Sequence, residues 1–73
     1  MKAIEITTPF IKLGQFLKYT NFAASGGEIK AILLSETVKV NDAVETRRGR
    51  KLYPGDRVEI NGEGTFTISH GSD

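Results

Sequence analysis

The hydrophobic spacing of this chain switches between two periods, and that switching restricts its fold more than any other feature. The opening "KAIEI" alternates, as a short strand does when Ile4 and Ile6 face inward. Leu13, Phe16 and Leu17 then fall at i, i+3 and i+4, and Ile29, Ile32 and Leu33 repeat that helical spacing. Alternation returns in "VKV", "RVEI" and "TFTIS", which turns Val38, Val40, Val58, Ile60, Phe66 and Ile68 to one side. Helices this short are marginal alone and must bury their stripes against each other and the strands. The expected class is α+β: two short N-terminal helices packed on a small, mostly antiparallel sheet.

Local signals mark where the elements begin and end. Thr8 can cap and Pro9 can open a first helix, although its periodicity is clear only from Leu13; Asn21 is placed to end it. "SGGE" puts Ser25 at an N-cap and Glu28 at the third helical position, the pattern of a reciprocal capping box. "ND", "PG" and "NGEG" are turn signals between strands. "HGSD" is expected to be a frayed tail, and Phe10, Phe16, Phe22 and Phe66 to be core.

At 73 residues the chain supports one domain, spanning 1–73, and a single core. A chain of ~60 residues buries only ~60% of its unfolded surface, which leaves little stability for a deep substrate cavity. There is no cysteine, so neither a disulfide framework nor a thiolate metal site is expected, and the lone His70 has no partners of its kind. His70 beside Ser69 and Asp73 is no triad, because adjacency in sequence is not triad geometry. No metal-ligand spacing, phosphate-loop motif or paired carboxylates can be found, so no enzymatic activity and no cofactor is expected. "MKAIEITTPF" is charged at Lys2 and Glu5, and no stretch approaches the roughly 20 apolar residues of a membrane helix. The expected location is the cytoplasm, without a membrane partner.

Charge is the feature with functional content. The net value is only +1, but residues 1–51 hold nine Lys and Arg against five acids, whereas residues 52–73 hold Arg57 against four. The asymmetry places a polyanion on the first part. Its densest segment is "RRGRK", where Arg47, Arg48, Arg50 and Lys51 surround Gly49. Arginine makes planar two-pronged contacts to phosphate and stacks on bases. A basic run is also commonly just a solvated face, and its like charges repel until a counter-charge arrives.

The glycines of "SGGE" point the same way. A capping box would satisfy the amides of Ser25 and Glu28, leaving those of Gly26 and Gly27 free at the positive end of the helix dipole with no side chain to block a phosphate. A tight helix entry is the plainer alternative. Lys12 and Lys18 on the first helix, Lys30 on the second and Lys39 on a strand are read as flanking one groove with these elements, with ordinary solvated lysines as the alternative for Lys30 and Lys39. Asn41 can contact the same ligand or support its turn through an Asx bond. Tyr19 and Tyr53 can stack on bases or pack at the core edge.

Taken in order, "IKLGQFLKYTNFAASGGEIKAILLSETVKVND" and "RRGRKLYPGD" resemble the S4 RNA-binding domain, also called the αL motif, over about residues 11–60. The likeness is strongest to small stand-alone bacterial S4 proteins of the YaaA and YbcJ type. It implies a helix pair with a strand and loop that grip structured RNA, ribosomal or transfer, as a monomer, with ribosomal particles as a further partner and ribosome assembly or translation as the setting. On that basis Lys12, Lys18, Ser25, Gly26 and Gly27 are expected to contact RNA, together with Lys30, Lys39, Asn41 and the Arg47, Arg48, Arg50 and Lys51 loop. Lys12 stands where many members carry arginine, and Asp42 where glycine is common. A ubiquitin-like or sulfur-carrier adaptor also uses "PGDRVEI", but that activity requires a C-terminal Gly-Gly and the sequence ends "HGSD".

Overall fold

In the computed structural model, which describes residues 2–71, the expected strand faces are in place. Strand β1 (Lys2–Ile6) opens the chain, β2 (Ile11–Lys12) follows, and the helices α1 (Leu13–Tyr19) and α2 (Gly26–Leu34) come next. Five strands complete it: β3 (Val38–Val40), β4 (Ala43–Val44), β5 (Lys51–Leu52), β6 (Arg57–Ile60) and β7 (Gly64–His70). The main sheet has the order β1-β7-β6-β3-β4, and β2 pairs with β5 in a separate two-stranded ladder. Only β1 and β7 run parallel; the other pairs are antiparallel. The class is α+β as expected, but the helices are not the first elements, since β1 and β2 precede them.

Alternation decides which face is buried. Val38, Val40, Val58, Ile60, Phe66 and Ile68 line one side of the sheet and pack against Leu13, Phe16 and Leu17 of α1 and Ile29 and Leu33 of α2. Phe66 is the hinge of this contact, meeting the rings of Phe16 and Phe22 edge-on at 5.7 and 5.6 Å. Asn21 and Phe22 leave α1 sharply: Asn21 adopts a left-handed φ of 65°, and the Phe22 amide returns to the Leu17 carbonyl at 2.9 Å. A left-handed residue past the last turn is a standard way to satisfy helix-end carbonyls, and asparagine tolerates it.

The turns use the residues the sequence offered. Asn41 and Asp42 both have positive φ, 50° and 73°, in a two-residue connection between the paired Val40 and Ala43, the backbone that suits the twist of a tight hairpin. The Asn41 side chain accepts from the Arg57 amide at 2.9 Å and donates to Asp56 at 3.1 Å, while Asp56 also accepts from the Tyr53 amide at 2.8 Å. Asp42 pairs with Arg57 at 2.8 Å. One polar network therefore ties the β3–β4 turn to the Pro54–Gly55 turn.

Four expectations about local structure are corrected. Helix α1 begins at Leu13 and not near Thr8 and Pro9, because Ile11 pairs with the buried Leu52; Thr8 instead donates to the Phe10 carbonyl at 2.8 Å. The capping box at α2 is half formed: Ser25 Oγ accepts from the Glu28 amide at 3.3 Å, but no bond returns from Glu28. His70 is the last residue of β7 opposite Ile6, and the buried Gly71 donates to the Ile6 carbonyl at 2.8 Å, so this part of "HGSD" belongs to the sheet. Ser72 and Asp73 lie outside the described residues. Phe10 is not core; it is half-buried on the surface against Tyr53, with ring centroids 5.8 Å apart.

Candidate nucleic-acid interface

The basic loop between β4 and β5 is organised around an acid. Glu45 is 7% exposed. Its carboxylate accepts from the amides of Thr46 and Arg47 at 3.1 and 3.0 Å, from Arg47 Nε and Nη2 at 3.0 and 3.1 Å, and from Arg50 Nη1 at 3.1 Å. The Arg47 guanidinium is the main reason that its pKa drops from 4.5 to about 2; burial opposes this, and the Arg47 amide and Arg50 reinforce it. The Arg47 guanidinium is correspondingly held above its ordinary value. The counter-charge that such a run requires is thus internal, and two of the four cations are committed to it. Arg47 keeps most of its side chain in solvent, at 75% exposure, so its outer edge stays open.

Curled around Glu45, the loop docks on α1 through its backbone. The carbonyls of Arg50 and Arg48 accept from the amides of Leu13 and Gly14 at 2.8 and 2.9 Å, and Gln15 Oε1 accepts from the Lys12 amide at 3.0 Å. The leading amides of α1 therefore have protein partners and are closed to an anion. The approach is close, since a Cβ at position 14 would lie 3.4 Å from the Arg48 carbonyl oxygen, and glycine leaves it unhindered.

The start of α2 is the opposite case. Among the described residues the amides of Gly26 and Gly27 have no protein acceptor, and they sit at the positive end of the helix. Arg48 reaches this point, with its Nη1 3.7 Å from where a Cβ on Gly26 would be. Arg48 forms no ion pair among the described residues. A groove of about 350 Å³ runs between the helices and the loop, lined by Lys12, Gly14, Gln15, Lys18, Ile29, Arg48 and Gly49. Its lining holds cations and no acid.

Not every expected residue joins this groove. Lys12 is not on α1 but ends β2, where it lies directly across from Lys51; like charges in that position repel and favour an anion between them. Lys51 Nζ also sits 4.9 Å from the centre of the Phe10 ring. Lys30 is exposed on α2 next to the groove residue Ile29 but does not line the groove. Lys39 does not flank it: between the buried Val38 and Val40 it projects from the face turned away from the helices, opposite Glu59. Asn41 has its side chain engaged in the turn network, and Ser25 Oγ is engaged in the cap. Sequence reasoning missed Glu45, whose signal was an acid two residues ahead of the arginines, and Gln15, whose signal was an amide three residues after Lys12.

Among the described residues no group of His, Asp or Glu could hold a metal ion, and no helix is long and apolar enough to cross a membrane. Ser69 and His70, as neighbours in one strand, project to opposite faces. Comparison with known proteins gives the family context. The family model described as "S4 domain" matches residues 4–69. The chain is 52% identical over 65 residues to a Bacillus subtilis protein named "Probable ribosome maturation protein RlbA", covering 89% of this chain and 92% of that one. It is 31% identical over 61 residues to an Escherichia coli protein named "Putative RNA-binding protein YbcJ", covering 84% of this chain and 87% of that one.

Proposed function

The chain belongs to the S4 domain family, and from that premise we propose that it is a non-catalytic protein that binds structured RNA, ribosomal before transfer, through one basic face. The observation that carries this reading is the acid-free groove lined by Lys12, Lys18 and Arg48, from which Arg48 also reaches the α2 start, where the amides of Gly26 and Gly27 are open. A phosphate at the α2 start would receive backbone N–H groups and the Arg48 fork together, the combination that favours anions at helix N-termini. Lys12, Lys18 and the outer edge of Arg47 would neutralise neighbouring phosphates. Recognition then follows RNA shape more than base sequence.

The name of the Bacillus relative supports a role in ribosome maturation; in this reading the protein would act as a cytoplasmic monomer on ribosomal particles. Crosslinking in cells followed by sequencing of the bound RNA tests this: enrichment of ribosomal RNA is expected, enrichment of transfer RNA would move the target, and no RNA above background would overturn the reading. In solution, Arg48→Ala should weaken RNA binding and flatten its salt dependence by ~0.7 to ~0.9 in slope, the share of one phosphate, with an unchanged melting temperature. Binding equal to that of the native protein would remove Arg48 from the interface.

A further inference from the structure

A second surface, which shares Gly49 with the groove, combines an exposed aromatic ring with cations. Arg47, Gly49, Arg50, Lys51 and Tyr53 line an open depression of about 430 Å³. Tyr53 is 47% exposed, so its ring offers a face to a ligand. Its position is fixed on three counts. The amide is held by Asp56 at 2.8 Å, the carbonyl accepts from the Asp56 amide at 2.9 Å, and the ring leans on Phe10 at 5.8 Å. Phe10 is in turn braced by Lys51. A ring held this way loses little freedom when a flat partner lands on it.

We propose that Tyr53, supported by Phe10, is a stacking platform for one unpaired nucleobase, with Arg47 and Lys51 taking the phosphates that flank it. The chemistry selects this occupant. A protein segment of apolar character would bury the guanidinium of Arg47 and the ammonium of Lys51 without a counter-charge, which is costly. A nucleotide brings the counter-charge and the flat ring together, as in single-strand sites built from cationic grooves and aromatic side chains. The site therefore takes a single-stranded nucleotide next to the folded RNA held in the groove. The protein would read a junction between paired and unpaired RNA rather than a continuous duplex. This inference rests on RNA being the ligand of the groove.

The sequence contains two tyrosines and no tryptophan, so a Tyr19→Phe background leaves Tyr53 as the sole reporter in tyrosine fluorescence. The probes are a blunt-ended RNA hairpin and the same hairpin with a short single-stranded oligoadenosine tail. The tailed hairpin is expected to bind about tenfold more tightly, in line with the cost of removing one aromatic stacking partner, and to quench Tyr53 emission where the blunt one does not. Tyr53→Leu should lose the tail's advantage and keep blunt-hairpin binding, whereas Tyr53→Phe should keep both. Equal affinity for the two hairpins, or a tail advantage that survives Tyr53→Leu, would overturn the proposal and leave the groove reading standing. An equal loss for both hairpins in Tyr53→Leu would show a structural role and overturn it as well. Failure of the native protein to bind either hairpin would count against both readings.

Discussion

Glu45 determines what the arginines of the loop can do. With its carboxyl at about 2, far below the ordinary 4.5, it is ionised wherever the protein works, and Arg47 and Arg50 are shaped around it. A carboxyl whose folded pKa lies below its unfolded one contributes stability that is complete above pH ~4.5 and is lost as the pH falls towards 2. Glu45→Gln should therefore lower stability at neutral pH by about 1 to 2 kcal/mol, at the modest end for a hydrogen-bonded charge because Arg47 faces water. The gap between variant and native protein should close as the pH drops through that window. Urea unfolding followed from pH 7 to pH 2.5 measures it; a constant gap would mean that shape, not charge, holds the loop. The same geometry revises what alanine substitution tests: removing Arg47 or Arg50 takes away part of the pairing of Glu45 and perturbs the loop, whereas Arg48, which forms no ion pair among the described residues, isolates binding.

At the scale of elements, the helix starts are the informative pair. Each has polar groups suited to an anion, but α1 spends its leading amides on loop carbonyls, while α2 leaves Gly26 and Gly27 open beside Arg48. An acid at Gly26 should consequently act in two directions. It would sit within reach of Arg48 Nη1 and at the positive end of α2, adding about 0.3 to 1 kcal/mol of stability. It would also occupy the place proposed for a phosphate, so Gly26→Asp should melt higher and bind RNA more weakly. A variant that melts higher and binds as before would remove the α2 start from the interface. Much of this arrangement is legible in sequence, because periodicity and turn residues are local: Val38, Val40, Val58 and Ile60 face inward as their spacing requires, and Asn41–Asp42 and Pro54–Gly55 turn. The rest depends on contacts across the chain. Ile11 and Lys12 become a strand because Leu52 and Lys51 lie opposite, and β7 extends to His70 because β1 is there to pair with it. Periodicity carries no information about such partners. The same limit hid the commitment of Arg50, whose acid partner lies five positions away around a curled loop.

Across the whole molecule, the sheet separates two populations of cation. Lys12, Lys18 and Arg48 gather on the helix and loop side, while Lys39 stands on the far face beside Glu59, and Arg57 is neutralised by Asp42. A protein that attracted RNA only by its overall charge would respond equally to losing any lysine, since exposed charges act at long range and are blurred by salt. A protein with one basic face would not. Lys18→Glu and Lys39→Glu change the net charge by the same amount, and both positions are exposed, so neither should disturb the core. If about four phosphates are engaged on the helix and loop side, the logarithm of affinity should fall against the logarithm of salt with a slope near −3. Lys18→Glu should lower affinity and bring that slope towards about −2, while Lys39→Glu should shift affinity slightly at low salt and leave the slope alone. Filter-binding titrations of the native protein and both variants over a salt series make the comparison. Matching losses in the two variants would mean that the RNA meets a diffuse positive field and that the groove between α1, α2 and the loop has no privileged part in holding it.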